Sequence, residues 1–93
     1  MTGGMKQLSV DAVFSDEAPS VDALTLYDDA HMAIYLQLLY GSAEGYEVSR
    51  LASEAFGIDA KSEPQRAEKV VGSHLRRAKW LSTTGRRHLL ASA

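Results

Sequence analysis

The sequence predicts an all-α fold: a small helical bundle built round a helix-turn-helix, behind a mobile or loosely docked N-terminal arm. Three features carry that expectation. Apolar residues recur with the helical period over residues 46–56 and again over 64–81. A wider apolar stripe spans residues 28–40. The one stretch with strand-like alternation, Leu8, Val10 and Val13, has no sequence-adjacent segment to pair with. With 93 residues and 45% hydrophobic content, the chain makes one domain near the low end of the size that folds alone.

Residues 1–25 hold glycine, serine, Pro19 and acids around few apolar side chains, and read as the arm; the helical domain follows over 26–93. The first helix is expected over residues 28–40. Asp28 and Asp29 suit its first turn, where carboxylates meet unpaired backbone N–H groups and the positive end of the helix dipole. Its apolar positions are Ile34, Tyr35, Leu38 and Leu39, with Met32 and Leu36 beside them. So wide a stripe fits either a helix central in the bundle or one covered on a second face by a partner. Residues 41–45 form a turn in which Gly41 or Gly45 can take a positive φ.

In the second helix, residues 46–56, Val48, Leu51, Ala52, Ala55 and Phe56 share one face, and Ala52 lets a neighbour approach closely. Gly57 stops this helix as a left-handed cap. Ser62 is the expected cap of the third helix, ahead of Glu63 and Pro64. Along that helix Ala67, Val70, Val71, His74, Leu75, Ala78 and Leu81 keep the helical period. Each Val or Leu buried there contributes roughly 1.5–3 kcal/mol. Gly85 ends or resets the helix, and residues 86–91 add a short turn with Leu89 and Leu90 packing back.

Composition excludes several kinds of chemistry. The chain has no cysteine, which removes disulfides, a thiol nucleophile and Cys-ligated zinc or iron–sulfur sites. His31, His74 and His88 are never three or four residues apart, so no helical metal pair arises. His74, on the apolar stripe, reads as a hydrogen-bonded core residue. No glycine turn leads into the Lys-Ser/Thr pair of a phosphate loop, and nothing marks a nucleophile turn. The expectation is a non-enzyme with no metal, no cofactor and no small-molecule substrate. The longest apolar stretch, residues 30–40, falls well short of the roughly 20 residues a membrane span needs. The first residues lack the apolar run of a secretory leader, so a cytoplasmic protein is expected.

Charge is strongly segregated. Up to residue 60 there are ten acids and two bases, a net −8; from residue 61 there are eight bases and two acids, a net +6. Such a split suits either electrostatic choice of partner or a self-complementary fold. The third helix shows Arg66, Lys69, Ser73, Arg76 and Arg77 opposite its apolar stripe. That face is either the solvated side of an amphipathic helix or one that enters the DNA major groove. Two features speak against DNA: the connector over residues 57–62 exceeds the three- to four-residue turn of the standard motif, and the chain is acidic overall.

Five short pieces fall in a telling order: LTLYDDAH at residues 24–31, YLQLL at 35–39, EVSRLASEAFG at 47–57, HLRRA at 74–78 and TGRRHLL at 84–90. Together they resemble domain-of-unknown-function family 2285, from about residue 24 to the C-terminus. The resemblance implies an extended-turn variant of helix-turn-helix, carried on mobile conjugative elements of proteobacteria. Some members are transcriptional activators with an additional N-terminal domain and a basic DNA-binding surface. Others are stand-alone acidic copies that act as antiactivators of rhizobial integrative conjugative elements, occupying the activator's partner domain in place of its own copy. This short, net acidic chain is similar to the second kind.

The expected function is therefore that of an antiactivator, which binds a transcriptional activator protein and blocks excision or conjugative transfer of a mobile element. Direct DNA binding as a small transcriptional regulator is the alternative. For the protein partner the expected contacts are Asp28, Asp29, Met32, Tyr35, Leu36 and Tyr40 on the first helix, with Glu47 on the second. For DNA they are Arg66, Lys69, Ser73, Arg76 and Arg77. On the antiactivator reading, Arg76 and Arg77 are structural or paired with acids of the N-terminal half.

Overall fold

A computed structural model describes residues 14–85 of the chain. These residues form four α-helices and no strand: α1 (Leu26–Ala30), α2 (Met32–Ala43), α3 (Val48–Phe56) and α4 (Pro64–Trp80), closed by a π-helical turn at Leu81–Gly85. The expected all-α bundle is what the chain adopts. The alternation at Leu8, Val10 and Val13 and the closing turn with Leu89 and Leu90 lie outside the described residues.

The single helix expected over residues 28–40 is two. Thr25 opens α1 with a capping box: its Oγ1 accepts the Asp28 N–H at 3.1 Å while Asp28 Oδ2 accepts the Thr25 N–H at 3.0 Å. At His31 the backbone leaves helical geometry (φ −113°, ψ 19°), and the ring Nδ1 lies 2.7 Å from the Tyr27 carbonyl. No Pro or Gly marks this break, and the apolar periodicity runs straight through it.

α2 then continues into the expected turn, as far as Ala43. Gly45 takes the positive φ (84°), whereas Gly41 stays helical and serves a close approach. A Cβ on Gly41 would lie 2.5 Å from Leu51 Cδ2 and 3.0 Å from the Tyr46 ring. Glu47 flanks the start of α3, and Gly57 (φ 67°) ends it in the left-handed cap its position predicts. The N-cap of α4 is Glu63 rather than Ser62, whose hydroxyl instead donates to Asp59 Oδ2 at 3.0 Å; Pro64 sits at the helix start.

α4 is the central element, packed on both α2 and α3. Leu38, Leu51, Ala52, Phe56, Ile58, Ala67, Val70 and Val71 form the main core, and Tyr35, Ala78 and Leu81 a second cluster. Leu75 is only partly buried, at the edge of the main core.

From residue 14 onward the arm lies along the helices. Phe14 packs edge-on against Phe56 at 4.9 Å between ring centroids. The Ser15 N–H donates to the Tyr27 hydroxyl and the Ala18 N–H to Ser73 Oγ, both at 3.0 Å. The expected mobile or loosely docked arm has few apolar residues to pack; over residues 14–24 backbone hydrogen bonds to distant side chains hold it, and these have no periodic signature.

Candidate functional site

Two surfaces matter, one on α2 and one on α4. α2 carries no charged residue over its whole length, MAIYLQLLYGSA. Its inner side supplies the buried Tyr35, Leu38 and Gly41. Its outer side shows Met32, Ala33, Leu36, Gln37, Tyr40 and Ala43, with a single polar side chain among them. Leu36 is 63% exposed and Tyr40 62%, while Met32 is partly open. A solvated helix normally keeps charges on that side.

The stripe extends onto α1 through Leu26, the most exposed large apolar residue described, at 87%. Leu24, Thr25, Leu26, Asp29 and Met32 line a shallow concavity of about 310 Å³ at that end. Leu26 escaped the sequence reading because α1 was expected to start at Asp28. The spacing of Thr25 and Asp28 as a capping box is the signal that places Leu26 in the first turn. Beyond the other end of α2, Tyr40 meets Tyr46 edge-on at 6.4 Å, and the Arg50 guanidinium lies 3.6 Å over the Tyr46 ring. Asp29, Glu44 and Glu47 are exposed around the stripe and make no ion pair among the described residues.

Two expected contact residues are not on this surface. Asp28 and Tyr35 are buried, at 0% and 2% exposure, and belong to a polar cluster centred on Arg77. Arg77 Nε and Nη2 donate to Asp28 Oδ1 and Oδ2 at 3.0 and 2.7 Å, a bidentate pair. Nη1 and Nη2 also donate to the backbone carbonyls of Val21 and Ala23, both at 2.7 Å. The Tyr35 hydroxyl donates to Asp28 Oδ1 at 2.7 Å, and the guanidinium lies 4.2 Å over the Trp80 ring. Burial alone would raise the Asp28 pKa, but hydrogen bonds from Arg77, Tyr35 and Thr25 hold it at about 2. Asp28 and Tyr35 lie seven positions apart, on one side of the helical region, and that side faces Arg77 rather than solvent.

His74 is fully buried, consistent with its place on the apolar stripe. Its Nδ1 lies 2.7 Å from the Val70 carbonyl and its Nε2 2.6 Å from the Tyr27 hydroxyl. The carbonyl can only accept, so Nδ1 carries the proton and Nε2 accepts from Tyr27. Burial pushes the His74 pKa below its ordinary value.

On α4, the residues expected for DNA contact are mostly engaged. Arg66 donates from Nε to Asp16 at 3.0 Å and from Nη1 to Glu63 at 3.2 Å. Lys69 Nζ lies 4.0 Å from Glu17 Oε2. Ser73 and Arg77 are buried, whereas Arg76 is exposed and makes no ion pair among the described residues. The expectation that Arg77 pairs with an acid of the N-terminal half is met by Asp28; for Arg76 no such pair is present among those residues.

No group of three or more His, Asp or Glu residues among the described ones could hold a metal ion, and none of their helices is long and apolar enough to cross a membrane. No known protein-family profile matches the chain, and no curated protein matches it significantly.

Proposed function

We propose that the chain is a protein-binding antiactivator of the extended-turn helix-turn-helix kind, which sequesters a transcriptional activator by covering the outer face of α2. The observation that carries this reading is the uncharged, exposed stripe of Leu26, Met32, Leu36 and Tyr40. Exposed Met, Leu and Tyr side chains are the usual anchors of a protein contact. The carboxylates of Asp29 near one end and of Glu44 and Glu47 near the other select an apolar segment with basic flanks. A second copy fits less well, since an antiparallel α2–α2 contact would bring Asp29 against Glu44 and Glu47. The α3–connector–α4 arrangement, with residues 57–63 between the helices, suits the extended-turn motif.

The test is a reporter strain in which a mobile-element activator drives its own promoter. Co-expression of this chain should lower the output. Leu36→Glu and Tyr40→Ala should relieve that repression, each weakening binding to the purified activator by more than ~1 kcal/mol with the amide NMR spectrum still that of a folded domain. Full repression by both folded variants would remove α2 from the interface. A sequence-specific DNA complex formed by the wild-type chain, abolished by Arg76→Ala, would favour the DNA-binding alternative instead.

A further inference from the structure

The acidic arm runs along α4 in the same direction as the helix, residue after residue. Asp16 meets Arg66, Glu17 meets Lys69, Ala18 meets Ser73, and the carbonyls of Val21 and Ala23 meet Arg77. Four of the five α4 side chains spaced for nucleic acid are thus already taken by this segment. Its ends are fixed by buried groups: Phe14 on the Phe56 ring at one, the Arg77 guanidinium at the other. Its middle rests on two ion pairs whose side chains are 39–67% exposed and on hydrogen bonds to Tyr27 and Ser73. Exposed pairs of that kind hold weakly and are screened by salt.

We propose that residues 14–24 are an intramolecular block on the basic face of α4, with the Asp16 and Glu17 carboxylates standing where nucleic-acid phosphates would lie. The block does not depend on which protein covers α2. It makes the low DNA affinity expected of this chain a property of the arm rather than of α4 itself. Phosphates and these carboxylates compete for the same cations, Arg66 and Lys69, and Arg76 lies beside them ready to add a contact.

The experiment is fluorescence anisotropy with a labelled mixed-sequence DNA duplex at low and at physiological salt. Asp16→Asn with Glu17→Gln removes both charges and adds no cation. Relative to wild type, this variant should gain at least about tenfold in affinity at low salt and lose it as salt rises. Adding Arg66→Ala and Lys69→Ala should abolish the gain. Phe14→Ala in the same background frees the start of the segment, and faster amide exchange over residues 15–20 reports its release. A released segment with wild-type anisotropy overturns the proposal, as does a gain that survives loss of Arg66 and Lys69.

Discussion

Arg77 ties the arm and α1 to α4 through one buried guanidinium. Four of its five N–H donors bond to one carboxylate and two carbonyls, and that carboxylate also serves Tyr35 and the α1 cap. Arg77→Ala would leave Asp28 buried without its counter-charge and strip both carbonyls of a donor. The expected cost is about 3–5 kcal/mol, the usual result of removing one partner of a buried pair. Its neighbour Arg76 is exposed, so Arg76→Ala should stay within about 0.5 kcal/mol of wild type. Urea unfolding of both variants checks the contrast, and equal stabilities would mean that the cluster contributes nothing. The sequence shows two adjacent arginines and cannot say which one turns inward. That choice follows from the 100° between them, and from where the Thr25 capping box holds Asp28.

Among the elements, the contact of α2 with α3 is set by Gly41. Two effects oppose each other in Gly41→Ala. Alanine is the better helix former by about 1 kcal/mol. Its methyl group, however, would lie 2.5 Å from the Leu51 side chain, which is itself buried. Overpacking of this kind costs about 1–3 kcal/mol, so the variant should be less stable and melt at a lower temperature than wild type. A higher melting temperature would show that α2 and α3 can move apart freely. α3 and α4 were legible in the sequence because each has a clean period and a marked end at Gly57 or Pro64. α1, the His31 break and the length of α2 were not. Gly41 is a turn residue by composition, and only the packing against Leu51 shows why a helix keeps it. The exposed stripe was half legible: Met32, Leu36 and Tyr40 follow from a surplus of apolar directions, but which tyrosine faces out depends on which side of α2 packs on α4.

For the whole molecule, part of the charge segregation resolves into pairing among the described residues. Asp16–Arg66, Glu17–Lys69 and Asp28–Arg77 each join the acidic half to the basic one. The stability of the fold should accordingly depend on pH in two acid steps. His74 has a folded pKa below its ordinary 6.5, so the unfolded chain takes up this proton first, and stability falls as pH drops below about 6.5. Asp28 ionises more readily when folded. Its contribution is complete above its ordinary value near 3.8 and is lost as pH falls to about 2. Melting temperatures between pH 7 and pH 2 should show both declines. His74→Gln should flatten the upper one and leave the lower one in place; a single decline near pH 4 in the wild-type protein would contradict the account of His74.

The Arg77 clamp also bears on how the chain comes off the ribosome. Its partners Val21, Ala23 and Asp28 precede it by 49 to 56 positions. During translation those groups emerge first and must remain hydrated until nearly all of α4 has been synthesised. α2 and α3, neighbours in sequence, can meet earlier through Leu38, Gly41 and Leu51. Closure of the arm and burial of Asp28 are therefore late steps, so a nascent chain halted before residue 77 would leave residues 14–28 open to proteases that the finished domain resists.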